Sequence, residues 1–197
     1  LYLCCSFCLP YGEDGRGLNK DTSTIFAPAT PVGESSITVI RISGRGSVKI
    51  ISSCFSKSKS ELKGIQFSET ESHTAHHGYL FDGKEIIDEV VITVFRNPYS
   101  YTGEDVIEIS SHGGSYIYRK ISSLLSSLGC EHAEPGEFSK RAFMNGKIDL
   151  AQAEAISDLI KAKTELASKA ALSQLKGELS SKVKNLRDEL INYCSLV

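Results

Sequence analysis

The chain has 197 residues, 41% of them hydrophobic, which is enough to pack one domain of ordinary size with an appendage and excludes disorder throughout. Its 22 basic and 24 acidic residues nearly cancel, so no global positive field marks a nucleic-acid binder, and any such contact must be local or supplied by a partner. Six cysteines, at positions 4, 5, 8, 54, 130 and 194, lack the regular spacing of a disulfide-stapled domain and fit a reducing, cytoplasmic setting.

The apolar opening, 1–10, is too short to span a bilayer and lacks the basic leader and small-residue cleavage site of a secretory signal. Glu13 and Asp14 argue against a transit peptide. Cys4, Cys5 and Cys8 supply at most half a zinc site, because no second Cys or His pair follows at finger-like distance.

The run SITVIRIS over 36–43 carries β-branched residues on both faces and predicts a strand buried on both sides, with Arg41 the exception. Val48, Ile51 and Phe55 then recur at helical spacing after Gly46, and a Ser/Lys-rich stretch over 56–63 reads as a surface loop. Two strand-like runs, 77–81 and 85–95, flank Asp82 and Gly83, a pair suited to a tight hairpin turn. His73, His76 and His77 at the loop-to-strand boundary read as surface residues rather than a metal set.

The segment 105–110 sets Val106, Glu108 and Ser110 against Ile107 and Ile109, the alternation of a half-buried strand, with Glu108 away from the isoleucine face. Gly113 and Gly114 open a helix whose Ile117, Ile121, Leu124, Leu125 and Leu128 face a core, and Gly129 ends it. His112 before that glycine pair marks either an anion site at a helix start or simply a turn the glycines allow.

The most informative stretch is EPGEFSKRAFMNGKIDLAQAEAISDLI over 134–160. Pro135 and Gly136 break the preceding element, and a short helix over 137–144 places Phe138, Arg141 and Ala142 on one face. Asn145 and Gly146 stop it, which holds Lys147 at a junction. From Asp149 onward, apolar residues from Leu150 to Tyr193 follow at helical spacing, interrupted chiefly by Gly177. That face still runs at the last residues, and no GxxxxGK[ST] phosphate loop occurs, as expected of part of a longer protein.

The 134–160 run, GEDVIE at 103–108 and HGG at 112–114 together resemble the amino-terminal part of the MnmE (TrmE) family of tRNA-modifying GTPases. The resemblance covers roughly residues 21–197, with the motifs in the family's order and spacing. It implies an α+β domain over 21–146, a mixed sheet flanked by helices that binds tetrahydrofolate and dimerises. Residues 147–197 would begin a helical domain, and 1–20 stand as an extension of unknown status.

Through VIRISG, GEDVIE and NGKIDLAQAE, the resemblance carries the family's folate contacts onto Arg41, Glu108 and Lys147. The implied ligand is 5-formyltetrahydrofolate or 5,10-methylenetetrahydrofolate. A pterin edge offers a ring N–H and an exocyclic amino group side by side, two donors that one carboxylate accepts together, which suits Glu108. Arg41 and Lys147 would hold the anionic glutamyl tail or the polar ring edge, with the assignment open. The bland readings are an arginine snorkelling from a strand end, a solvated glutamate on an edge strand and a solvated loop lysine.

The resemblance further implies that the intact protein modifies carbon 5 of a wobble uridine in tRNA as a homodimer with the flavoprotein MnmG (GidA). GTP, magnesium and potassium belong to a Ras-like domain that interrupts the helical domain in the family and is absent here, so this chain is not expected to hydrolyse GTP. Two other classes remain: a stand-alone folate-dependent one-carbon transferase, since the family's folate domain resembles that of the glycine-cleavage aminomethyltransferase, and a dimerisation module without ligand. A missing nucleophile or acid–base pair weighs against the former.

Overall fold

The computed structural model describes residues 23–60, 67 and 70–195; the extension and its three opening cysteines lie outside these residues. The elements in chain order are β1 (Ile25–Pro28), β2 (Ile37–Ser43), α1 (Ser47–Cys54), β3 (Phe55–Ser56), β4 (Thr74–Asp82), β5 (Glu85–Phe95), β6 (Val106–His112), α2 (Ser115–Ser127), β7 (Glu131–His132), α3 (Glu137–Met144), α4 (Leu150–Lys161), α5 (Glu165–Leu175) and α6 (Glu178–Cys194). The architecture is α+β, as expected: one seven-stranded sheet in the order β3-β4-β5-β6-β2-β1-β7, mixed because β1 and β7 alone run parallel.

One face of the sheet builds the core. Ile40 and Ile42 of β2, Val90, Ile92 and Val94 of β5 and Ile107 and Ile109 of β6 are buried against Val48 and Ile51 of α1 and Ile121, Leu124 and Leu125 of α2. Burying aliphatic side chains of this size contributes about 1.5 to 3 kcal/mol each before the entropy of ordering them is charged. Cys54 and Cys130 are free thiols within that core, and burial pushes them up to about 12 and about 11, so neither is a reactive thiolate.

The strand β2 is therefore buried on one side only, against the expectation of burial on both. Thr38, Ile40 and Ile42 point inward, whereas Ile37, Val39 and Arg41 lie on the opposite face, with Ile37 59% exposed. The helices α1 and α2 cover one face, and among the described residues the segments around 100–105 and α3 lean over part of the other.

The hairpin forms with its turn one residue later than read from Asp82 and Gly83. Asp82 pairs with Glu85, so Gly83 and Lys84 form the two-residue loop, Gly83 at φ 58°. Beyond the turn, a bulge between Leu80 and Phe81 shifts the register by one residue, since Leu80 faces Asp88 while Phe81 faces Ile86. The helical region also breaks at a place the spacing concealed. Besides Gly177, which starts α6 in the left-handed region, the chain leaves the helix over 162–164 and restarts where the Thr164 hydroxyl oxygen accepts from the Ala167 N–H. The start of α4 is a capping box, in which Asp149 and Gln152 each satisfy the other's backbone N–H.

The HGG turn is a steric junction. Gly113 N–H donates to the Ser36 carbonyl at 3.1 Å, and a methyl group at Gly113 would fall onto the Ser35 backbone. Gly114 has φ 141°, a conformation a side chain strains. Gly113→Ala is expected to destabilise the fold by about 1 to 3 kcal/mol through this overlap. Urea denaturation checks it, and a midpoint equal to that of the wild type would show that Ser35 yields freely.

Candidate functional site

The register between β2 and β6 sets Arg41 directly opposite Glu108 on the face away from the helices α1 and α2. Arg41 Nε and Nη2 both donate to Glu108 Oε1, at 2.9 and 2.7 Å, with the two side chains about a quarter exposed. Both lone pairs of Oε1 are thereby used, while Oε2 accepts no hydrogen bond among the described residues. Neither residue sits on an edge strand: β6 lies between β5 and β2, and β2 between β6 and β1.

The surroundings of the pair come from two segments distant in sequence. The Arg41 guanidinium lies over the rings of Tyr101, 5.2 Å away, and Phe138, 5.8 Å away. Phe138 is buried on α3, as the helical face predicted, and Tyr101 arrives on the loop that links β5 to β6. Tyr101 Oη and Ser139 Oγ are hydrogen-bonded at 2.8 Å, which ties loop to helix.

The same two segments are joined beneath the surface by charge. Arg141 on α3, 3% exposed, donates to Glu137 Oε1 at 2.9 Å, to Glu104 Oε2 at 3.3 Å and to the Ser23 carbonyl at 2.8 Å. Ser43 Oγ, at the end of β2, donates to Glu104 Oε2 at 2.7 Å and meets Thr102 Oγ1 at 2.7 Å. Asn145 adds a bond from its amide to the Thr102 carbonyl at 2.8 Å. The loop is thus fixed to α3 and to the strand that carries Arg41.

Lys147 does not touch the ion pair. Its Nζ donates to the Pro98 carbonyl at 2.9 Å, and its aliphatic stem lies against Gly103, the glycine at φ 76° in the same loop. Arg41 and Glu108 are brought together directly, and Lys147 is linked to them indirectly, through the loop that presents Tyr101 and through α3, where its N–H donates to the Ala142 carbonyl at 2.9 Å. Sequence reasoning missed the direct pairing, the Tyr101 contact and the Glu104–Arg141 network, although the loop motif RNPYSYTGE and the inward face of α3 hold these residues.

The histidines take protein partners. His112 Nδ1 meets Asp88 Oδ1 at 2.7 Å, and the His112 N–H donates to Asp88 Oδ2 at 2.8 Å, so a carboxylate of the protein itself engages both the ring and the backbone of His112. The hydrogen bond and charge of Asp88 raise the His112 ring above its usual value. The pair therefore favours the fold fully below the unfolded value of about 6.5, and the contribution is lost as pH rises through the folded one. Asp88→Asn is expected to return the His112 midpoint toward about 6.5 in an NMR titration; a midpoint that does not move would remove Asp88 as the cause. His77 pairs with Glu89 at 2.7 Å and His76 Nε2 with Thr74 Oγ1 at 2.9 Å, and no trio of potential metal ligands occurs among the described residues.

Along most of its length the chain is similar in sequence to known proteins. Residues 24–147 match the family model described as GTP-binding protein TrmE N-terminus, and residues 150–197 match the MnmE helical domain. The chain belongs to the MnmE family. A tRNA modification GTPase MnmE of Lactococcus lactis subsp. lactis (strain IL1403) is 44% identical over 180 residues, 91% of this chain and 38% of that protein. MnmE of Flavobacterium johnsoniae is 45% identical over 180 residues, 91% of this chain and 37% of the relative, and MnmE of Chlorobaculum tepidum is 45% identical over 173 residues, 88% and 36%. The chain thus spans a little over a third of the length of these MnmE proteins. Among the described residues, no helix is long and apolar enough to cross a membrane.

Proposed function

We propose that this chain is the reduced-folate-binding and dimer-forming part of a cytoplasmic tRNA modification GTPase. Residues 21–146 form the folate domain, 147–197 begin the helical domain, and Arg41, Glu108 and Lys147 contact the ligand. The observation that carries the reading is the unused carboxylate oxygen of Glu108, a quarter exposed in mid-sheet beside the Tyr101 and Phe138 rings. An ion pair placed only for stability would gain little there, since ion pairs within reach of solvent contribute about 0 to 1 kcal/mol. A carboxylate held by one oxygen and open at the other suits the paired donors of a pterin edge.

The ligand is 5-formyltetrahydrofolate or 5,10-methylenetetrahydrofolate, the one-carbon donor for carbon 5 of a wobble uridine. GTP hydrolysis, with its magnesium and potassium, and contacts to the flavoprotein MnmG (GidA) and to tRNA belong to the longer protein that the relatives' length indicates. Support for self-association comes from the exposed apolar residues Ile37 and Val91 on the open sheet face and Leu179, Val183, Leu186 and Leu190 on α6.

Calorimetric titration of 5-formyltetrahydrofolate, combined with sedimentation at micromolar concentration, tests the reading. One ligand per chain on a dimer supports it. A flat titration leaves only the dimerisation module, and a monomer at all accessible concentrations rejects the pairing.

A further inference from the structure

We propose that Tyr101 is a positioning residue for this site: its ring and its hydroxyl form a strap that holds the Arg41 guanidinium in place, which in turn keeps Glu108 Oε2 open to ligand. The inference rests on the folate reading for its consequence in binding, though not for the contact itself.

An arginine in mid-strand on a partly open face has a long, flexible stem and a head that water solvates well, so its default is to swing outward. Arg41 does not. Both of its bonds converge on Oε1, and its guanidinium lies over two aromatic rings, an arrangement that offsets lost hydration by attraction to the ring faces. Phe138 is fixed by burial on α3, whereas the Tyr101 ring, 36% exposed on a loop, keeps its place only because something ties it.

Three ties are visible. The Tyr101 hydroxyl reaches Ser139 on α3, and the flanking loop is pinned by Asn145 to the Thr102 carbonyl and by Arg96 Nη1 to Asp105 Oδ2 at 3.1 Å. With Arg41 so held, Oε1 stays occupied and the carboxylate presents a single oxygen in one orientation. Without the strap, Arg41 samples solvent and Glu108 rotates with it, so binding must first order both side chains.

The test uses the full 197-residue chain and two readouts. In NMR spectra the Arg41 Nε–Hε resonance, assigned by its loss in Arg41→Lys, is expected to lie upfield because of the rings and to exchange slowly with water. Tyr101→Phe and Ser139→Ala keep the upfield position and speed the exchange, whereas Tyr101→Leu moves the resonance downfield. Affinity for 5-formyltetrahydrofolate falls about threefold in Tyr101→Phe and about tenfold in Tyr101→Leu, in proportion to one exposed hydrogen bond and an added cation–π contact. A resonance unmoved in Tyr101→Leu overturns the proposal, and so does a moved resonance with unchanged affinity while Glu108→Gln loses binding. If the wild-type chain binds no 5-formyltetrahydrofolate, the folate reading falls and the resonances alone decide whether Tyr101 holds Arg41.

Discussion

Exchanging Glu108 for glutamine is expected to weaken binding of 5-formyltetrahydrofolate about ten- to hundredfold with the fold intact. The ion pair is the reason the amide cannot adapt. Arg41 places two donors on Oε1, so the amide oxygen must occupy that position, and the amide nitrogen then takes the place of Oε2. There it presents N–H groups to the N–H groups of the pterin. Flipping the amide moves the conflict onto Arg41 instead. One charged hydrogen bond is lost and a donor faces a donor, which costs about 1.5 to 3 kcal/mol. Calorimetry with Glu71→Gln, an exposed control, checks this. Equal affinities for the two variants, with unchanged circular dichroism, would remove Glu108 from the site.

The second large effect concerns stability. Arg141→Met is expected to destabilise the fold by about 3 to 5 kcal/mol, because it leaves the two largely buried carboxylates of Glu104 and Glu137 without the cation they share. The loss also frees the Ser23 carbonyl and removes one of the ties between the loop of Tyr101 and α3. Adding Glu104→Gln to Arg141→Met recovers part of the loss, since it removes one unpaired charge. Urea denaturation of the single and double variants measures both steps, and a single variant within 1 kcal/mol of wild type, read against the approximate scale above, would show the network to be marginal.

Much of this was legible in the residues themselves. The alternation over 105–110 put Glu108 away from the core, and α3 carries Phe138, Arg141 and Ala142 on its buried face as its spacing dictated. What the sequence withheld was pairing. Arg41 and Glu108 stand 67 positions apart, and only the antiparallel register of β2 with β6 makes them neighbours. The residues of β2 are β-branched on both faces, so composition could not reveal that helices cover just one. The break over 162–164 was hidden for a related reason: apolar spacing continues across it, and Thr164 is marked as a cap by its extended backbone and its hydroxyl's bond to Ala167, neither of which spacing reveals. The hairpin turn falls one residue later because Asp82 stays paired with Glu85 and Gly83 takes the first loop position at positive φ.

The most direct measurement is a crystal structure of the chain grown with saturating 5-formyltetrahydrofolate. The account predicts the pterin ring on the open sheet face, its ring N–H and exocyclic amino group within hydrogen-bond reach of Glu108 Oε2, and Arg41 still bonded to Oε1 over the Tyr101 ring. A ligand bound elsewhere, with Glu108 Oε2 left to solvent, would contradict it.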